Sequence, residues 1–321
     1  EYKLSRNTII GAYQQLEIEG YIKPITGSGY YVEKLTSFKA DSPKVDIFPS
    51  VTETSYQRYD YTFAYGDLDY NCYSSKAWRK CLQNAYNRLA SQKRTIYEEL
   101  QGSIHMRQIL SGYLYQSRGV KCSADQIIFT SGHQQSLHII ASLFSHMDWG
   151  FAMENPGYSG TRQVMEQNHF HITPIPVEAD GISVHAVQDL FHTLLCVTPS
   201  HQFPLGSVLP ISKRLQILEW AKTNDGYIIE DDYDSELRYH NRPVPSLQSI
   251  DSDNRTIYLG TFSKSLSPDL RIAYVILPVQ LLPSYREKYL YANCTVPALL
   301  QSALAEYIEN GEYQRHINTM R

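Results

Sequence analysis

The sequence predicts an α/β protein with a mainly parallel sheet, preceded by part of a small winged helix. Two observations indicate the sheet: short apolar segments recur along the chain, and stretches with helical periodicity separate them. A short helix followed by a hairpin pattern near the start indicates the smaller module. Because buried parallel strands are apolar on both faces, we expect helices on both sides of the sheet.

Composition limits the possible functions. Of 321 residues, 42% are hydrophobic and 19% are charged, which is typical of a globular protein with a sizeable core. The net charge of −4 gives no overall positive field, so any DNA contact must be local. No apolar run approaches the roughly 20 residues that cross a bilayer, and we expect no membrane association. Five cysteines without a C-x-x-C pair predict free thiols in a reducing cytoplasm and no metal site.

Residues 1–35 are predicted to form the small module. Ser5 is a favourable N-cap for a helix over Leu4–Glu19, in which apolar residues recur at helical spacing. The turn Thr26-Gly27-Ser28-Gly29 lies between β-forming residues and predicts a hairpin over Ile25–Val32. A helix followed by a small hairpin is the second half of a winged helix.

The rest of the chain is predicted to form a linker and a large domain. Residues 36–55 are polar and sustain no helical or strand period, which predicts the linker. Residues 56–321 contain the alternating helices and strands. The clearest strands are predicted at 127–129, 194–197, 227–229, 256–259 and 273–276. Leu299–Met320 is predicted to be one helical run that begins a smaller subdomain.

The strongest functional pattern is Gly260-Thr261-Phe262-Ser263-Lys264-Ser265, followed by Arg271. A lysine after a strand and among small hydroxyl residues suits an imine with an aldehyde cofactor, because the amine must be neutral and accessible. Thr261, Ser263 and Arg271 can supply hydrogen bonds and positive charge to a phosphate. Without this setting, a lysine is most often an ordinary surface residue.

Two further patterns are weaker when taken alone. Ile229–Glu236 places carboxylates at the C-terminal end of an apolar strand, where α/β sheets bind ligands. Such a carboxylate can pair with a protonated pyridine nitrogen, but a divalent-metal site and a solvated acidic turn are equally compatible. Thr130–Gln135 joins a strand to a helix through Gly132, and free amides at a helix N-terminus form an anion site.

These three patterns, in this order, resemble the cofactor site of fold-type-I aminotransferases, which bind pyridoxal 5′-phosphate. The segments SRNTIIGAYQQLEIEGYI, GSGYYV, TPSHQFPLG and IEDDYDSELRY resemble, more specifically, the MocR/GabR family. Its members are GntR-type bacterial transcriptional regulators in which a winged helix is fused to an aminotransferase-like sensor. The resemblance covers nearly the whole chain.

The resemblance implies roles for individual residues. Lys264 would bind the cofactor through an imine, and Tyr158 would stack on its ring. Asp231, with Asp232 as the alternative, would pair with the ring nitrogen, and Tyr233 would bond the ring hydroxyl. The phosphate would be surrounded by Ser131, Gly132, His133, Thr261, Ser263 and Arg271. Tyr97 would reach the cofactor phosphate bound in the partner subunit of a homodimer; the alternative is an aromatic residue on a helix that packs into the protein core.

One departure from many aminotransferases is Phe203, which stands before Pro204 where those enzymes carry an asparagine that bonds the ring oxygen. Gln202 or His201 could compensate for it. The change favours sensing over efficient turnover, so we expect a regulator with at most residual aminotransferase chemistry. An active aminotransferase is the alternative, and a scaffold that no longer binds cofactor is a third interpretation.

The resemblance also implies partners, namely double-stranded promoter DNA and a small amine or amino-acid effector. The DNA-contacting residues would be Ser5, Arg6, Asn7 and Thr8 at the start of the recognition helix, with Lys23 and Ser28 in the wing. Residues 1–39 hold five basic and four acidic residues, a net charge of +1, which is too little for autonomous binding. We expect the chain to be a piece of a longer protein that carries the remaining winged-helix helices and the usual substrate-carboxylate arginine. Arg162 is the predicted effector contact within it.

Overall fold

The structure is a computed structural model and describes residues 4–34, 75–92, 99–145, 148–237 and 245–321. The chain divides into two units, residues 1–62 and residues 63–321. The predicted linker, residues 36–55, lies outside the described residues.

The described part of the first unit is a helix and a hairpin, as predicted. Helix α1 (Arg6–Ile18) is capped by Ser5, whose hydroxyl accepts a hydrogen bond from the Thr8 amide at 3.2 Å. Strands β1 (Ile22–Ile25) and β2 (Gly29–Val32) pair antiparallel. The intervening turn contains Gly27 at a φ of +80°, a left-handed conformation that costs glycine little.

The second unit is built on an eight-stranded sheet. Its strands are β3 (Ile127–Thr130), β4 (Gly150–Asn155), β5 (Ile172–Glu178), β6 (Gly181–Ile182), β7 (Thr193–Val197), β8 (Tyr227–Asp231), β9 (Thr256–Thr261) and β10 (Ala273–Ile276). Their order is β3-β10-β9-β8-β7-β4-β5-β6. The pairs from β9 through β8, β7 and β4 to β5 are parallel, whereas β10 is antiparallel to both its neighbours and β6 is antiparallel to β5. The predicted mainly parallel sheet is therefore confirmed.

Nine helices in the described part of this unit surround the sheet. They are α2 (Lys76–Ser91), α3 (Ile104–Arg118), α4 (His133–Phe144), α5 (Ser159–Gln167), α6 (Ile211–Thr223), α7 (Leu247–Ile250), α8 (Leu282–Lys288), α9 (Ala298–Glu309) and α10 (Glu312–Met320). The prediction of a single run over Leu299–Met320 is wrong in one respect. Gly311 adopts a φ of +70°, which breaks the helical path and separates α9 from α10.

Helices cover both faces of the sheet. Along β9, Tyr258 packs into the core formed with α2, α3, α9 and α10, whereas Ile257 and Leu259 pack into the core formed with α4, α5 and α8. This alternation is the two-residue side-chain period of a strand. A third core cluster joins α6 to the sheet through Ile217 and Trp220.

The composition predicted no membrane-spanning segment and free cysteine thiols. No helix in the described ranges is both long enough and apolar enough to cross a membrane. The cysteines within those ranges, Cys81, Cys122, Cys196 and Cys294, are all free thiols.

Candidate functional site

The carboxyl ends of β7, β8 and β9 border a cavity of about 430 Å³. This is the place where parallel α/β sheets bind ligands, and the volume is that of a small-molecule site. Most of the predicted cofactor residues meet here. The cavity is lined by His133, Gln134, Tyr158, Thr198, Phe203, Asp231, Tyr233, Thr261, Ser263, Lys264, Pro268 and Arg271.

Lys264 enters the cavity from the segment that follows β9. Burial lowers the pKa of its amine, while the nearby charge of Asp234 acts in the opposite direction. A lower pKa raises the fraction of neutral amine at a given pH, and only the neutral amine is nucleophilic. Lys264 therefore has the setting expected of a reactive lysine, unlike an ordinary surface lysine.

The two aspartates after Glu230 face different surroundings. Asp231, at the end of β8, is buried and lines the cavity, and its Oδ1 atom has no hydrogen-bond partner among the described residues. The Asp232 carboxylate instead accepts a hydrogen bond from Arg118 Nε at 2.8 Å and another from the Tyr258 hydroxyl. Asp231 is thus the carboxylate that is available to a ligand in the cavity.

The metal-site interpretation of the acidic segment finds no support in the described part of the chain. No group of three or more His, Cys, Asp or Glu side chains there is arranged to hold a metal ion. Asp232 forms an ion pair with Arg118, and Glu230 accepts hydrogen bonds from the backbone amides of Leu247 and Gln248.

Gly132 and Arg271 form the cationic end of the cavity. A Cβ atom on Gly132 would lie 2.0 Å from Arg271 Nη2, so only glycine leaves room for the guanidinium. Gly132 is the N-cap of α4, whose first amides have no partner within the helix. A guanidinium and a helix N-terminus side by side suit an anion such as a phosphate.

The other predicted phosphate residues contribute unequally. Thr261 and Ser263 line the cavity, and the Ser263 amide donates to Thr261 Oγ1 at 3.1 Å. Ser131 is not among the lining residues. Its amide and hydroxyl donate to Gln135 Oε1 at 2.6 and 3.0 Å, so Ser131 supports the turn before α4.

Substitution of Gly132 tests this cationic end. We expect Gly132→Ala to displace Arg271 and to weaken binding of pyridoxal 5′-phosphate roughly ten- to hundredfold, the loss expected for a hydrogen bond to a charged group. Equilibrium dialysis measures the effect, with Gly112→Ala in α3 as the control because an added Cβ there meets no atom within 4 Å. Unchanged affinity of Gly132→Ala would contradict this assignment.

Aromatic rings form one wall of the cavity. The ring centroid of Phe203 lies 6.0 Å from that of Tyr158 and 6.4 Å from that of Tyr233, with edge-to-face geometry in both pairs. Such pairs hold rings in fixed orientations. The three rings suit a flat, aromatic ligand.

Neither residue that was expected to compensate for Phe203 lines the cavity. The Gln202 amide donates to the carbonyl oxygens of Pro156 and Phe203 at 3.0 and 2.7 Å, so Gln202 holds the loop together. His201 Nδ1 contacts Asp234 Oδ1 at 3.0 Å. On this side of the cavity, Thr198 is the polar lining residue.

Glu154, near the end of β4, was not predicted from the sequence. Its buried carboxylate accepts hydrogen bonds from the Thr198 amide at 3.1 Å and hydroxyl at 2.5 Å. Burial raises its pKa to about 7, and the Thr198 and Gln202 hydrogen bonds oppose that rise. A carboxylate at the end of a central apolar strand is the same signal that identified Asp231, and it could have identified Glu154 too.

The remaining predicted residues lie away from this cavity or outside the described ranges. Tyr97 lies outside the residues that the structure describes. Arg162 lies on α5 with its Nη1 atom 4.0 Å from Glu166, and it is not a lining residue. In the first unit, Ser5, Arg6, Asn7, Thr8, Lys23 and Ser28 are all exposed at the start of α1 or in the hairpin.

The sheet and its cavity have counterparts among solved structures. An archaeal alanine:glyoxylate aminotransferase superposes with a TM-score of 0.71 at 25% identity, covering 79% of this chain and 64% of that one. A kynurenine aminotransferase of Pyrococcus horikoshii gives 0.70 at 26% identity, covering 78% and 64%. Residues 62–321 match the family described as aminotransferase class I and II. Fold and site together define an aminotransferase-like domain of that class.

Sequence relatives that match nearly the whole chain identify its family within this class. The HTH-type transcriptional regulator YdeL of Bacillus subtilis is 40% identical over 100% of this chain and 69% of its own length. The probable rhizopine catabolism regulatory protein MocR of Rhizobium meliloti is 32% identical, over 99% and 67%. The pyridoxine biosynthesis regulator PdxR of Corynebacterium glutamicum is 32% identical, over 99% and 68%. The chain belongs to the MocR/GabR family of GntR-type regulators.

Proposed function

We propose that this chain is the sensor part, with half of a winged helix, of a transcriptional regulator that binds pyridoxal 5′-phosphate. The observation that carries the proposal is that Lys264, Asp231 and Arg271 line one cavity. The regulators YdeL, MocR and PdxR, which match the chain over both of its units, support the DNA-binding role. We expect the protein to work in the cytoplasm as a homodimer.

The residues of the cavity fit this cofactor. The Asp231 Oδ1 atom, buried and without a partner in the described structure, suits a ring N–H donor. Arg271 and the start of α4 suit the phosphate, Tyr158 the ring face, and Tyr233 the ring hydroxyl. When bound, pyridoxal 5′-phosphate supplies an aldehyde that reacts reversibly with amines.

Lys264 is the residue that would connect an effector to a change in the protein. With the cofactor in the cavity, the Lys264 amine would hold its aldehyde, and a free amine that exchanges with Lys264 at that aldehyde would set the lysine free. The released Nζ atom can then take up a proton, which the nearby charge of Asp234 favours. This change of charge and contacts is a local event that can bias one conformation over another.

The DNA contacts would come from the exposed start of α1 and from the hairpin. Arg6 is the first residue of α1, and its predicted neighbours in the contact are Asn7 and Thr8. Helix N-termini of this type reach base edges in the major groove. Because the local net charge is small, binding should require the complete regulator as a dimer.

The proposal is tested on the full-length protein with a DNA fragment from its own promoter region. Fluorescence anisotropy measures DNA affinity with cofactor alone and with a panel of amines and amino acids, including γ-aminobutyrate. We expect at least one amine, or the cofactor itself, to change the affinity. If neither does while an amino acid is steadily turned over with a 2-oxo acid, the protein is an aminotransferase and the proposal is wrong.

A further inference from the structure

We propose that His133 acts through Asp231 as a positioning residue: its imidazole is the ionic partner that holds the carboxylate toward the cofactor's ring nitrogen. The interaction makes cofactor binding depend on the protonation of His133. This inference rests on the proposed function and adds a second, pH-dependent input to the same site. It differs from the role that the family resemblance implies for His133, which is phosphate binding.

The geometry separates the two roles. His133 is the first residue of α4, and its Nε2 atom lies 2.9 Å from Asp231 Oδ2. Only 17% of the histidine side chain and 5% of the aspartate side chain are exposed. The ring therefore contacts the end of β8, whereas Arg271 lies beside Gly132 at the cationic end of the cavity.

The contact leaves one carboxylate oxygen available. Oδ2 faces the imidazole, while Oδ1 is buried and has no hydrogen-bond partner in the described structure. The 2.9 Å separation of Nε2 and Oδ2 is short enough for an ion pair when the ring is protonated. Holding Oδ2 fixes the direction in which Oδ1 points.

Burial and the neighbouring charges set the pKa of His133, and with it the pH range in which the ion pair forms. Burial, the largest single influence, lowers the pKa of His133, but the charge of Asp231 and the hydrogen-bonding contact with its carboxylate together raise it above its ordinary value. Arg271, the N-terminal end of the α4 dipole and, when it is protonated, Lys264 bring positive charge to the same cavity and oppose protonation of His133. Tyr158 contacts the ring edge-on, with centroids 6.1 Å apart.

The sign of the pH effect follows from this balance. Below its pKa, His133 is positively charged and holds Asp231. As pH rises through that pKa, the ring becomes neutral and the ionic attraction is lost. Cofactor affinity should thus be assisted by His133 on the acid side and not on the alkaline side.

The first experiment uses the protein without cofactor. Histidine-selective NMR titration gives the pKa of His133 in the full-length parent protein and in Asp231→Asn, with the His133 signal assigned by its loss in His133→Gln. We expect Asp231→Asn to lower the pKa of His133. Exposed His138, which contacts Asn168, serves as the control site in the second experiment. An unchanged His133 pKa would overturn the ion pair, whether or not the protein binds a cofactor.

The second experiment measures the dissociation constant of pyridoxal 5′-phosphate against pH. We expect His133→Gln to weaken binding about tenfold or more near pH 6, because one interaction with a charged group is lost. Near pH 9, where the parent ring is neutral, the two proteins should differ little. His138→Gln is the matched control and should follow the parent throughout. If the ratio of the His133→Gln dissociation constant to that of the parent does not vary with pH, the inference is contradicted. If the parent does not bind pyridoxal 5′-phosphate at all, the proposed function is contradicted instead.

Discussion

Replacing Lys264 with alanine is expected to abolish covalent retention of pyridoxal 5′-phosphate and, with it, the response of DNA binding to amines. Lys264 is the amine that lines the cavity beside Asp231 and Arg271 within the described structure, and burial lowers its pKa. An imine needs that amine, so the loss should be complete. The visible absorbance of the cofactor complex and the DNA affinity measured with and without amines report the two effects.

Lys222→Ala is the matched control for this prediction. Lys222 is an exposed lysine whose Nζ atom lies 3.2 Å from Asp253, and it is not a lining residue of the cavity. Its loss should leave the absorbance and the amine response unchanged. A Lys264→Ala protein that still changes its DNA affinity when amines are added would show that the cofactor bond does not carry the signal.

Replacing Arg118 with leucine is expected to cause the largest loss of stability. The Arg118 guanidinium and the Asp232 carboxylate are 2.8 Å apart, with side chains that are 4% and 0% exposed. Removing one partner of such a pair leaves a buried charge without compensation and costs about 3–5 kcal/mol. Denaturant unfolding monitored by circular dichroism measures the change in the free energy of unfolding.

The pH dependence of this loss gives a further check. Burial alone would raise the pKa of Asp232, but Arg118 and the hydroxyl of Tyr258 lower it below its ordinary value of 3.8. A lowered carboxyl pKa contributes stability above the unfolded value that is lost as pH falls through the folded value. The cost of Arg118→Leu should thus be largest at neutral pH and should shrink as Asp232 becomes protonated.

An exposed ion pair provides the comparison for Arg118. Arg88 Nη1 lies 2.5 Å from Glu306 Oε2, but the Arg88 side chain is 49% exposed. Surface pairs contribute about 0–1 kcal/mol, so Arg88→Leu should cost far less. Equal costs for the two substitutions would show that burial of the Arg118–Asp232 pair is not what makes it important.

Much of the large domain could be predicted because its strands are apolar on both faces. The segments at 127–129, 194–197, 227–229, 256–259 and 273–276 all lie in the central sheet. The separation of α9 from α10 was missed, although Asn310-Gly311 is a typical helix-end signal and Gly311 adopts a φ of +70°. The antiparallel direction of β10 was not predicted either.

The sequence predicted most of the residues that line the candidate site, but it did not predict the direction in which their side chains point. Lys264 and Arg271 were recognisable from their spacing, but the choice between Asp231 and Asp232 depends on which face of the strand end each occupies. The position of His133 beside Gly132 indicated a phosphate, whereas its ring contacts a carboxylate. Glu154, near the end of the apolar strand β4, carried the same signal in the sequence as Asp231 and was not predicted.

The central claim is that one lysine of this chain bonds covalently to a pyridoxal cofactor. The direct measurement is to incubate the full-length protein with pyridoxal 5′-phosphate, reduce it with borohydride, digest it and map the modified peptides by mass spectrometry. The account predicts a phosphopyridoxyl group on Lys264 at near-stoichiometric yield, with surface lysines such as Lys222 at background. An unmodified Lys264, or equal modification of Lys264 and Lys222, would contradict it.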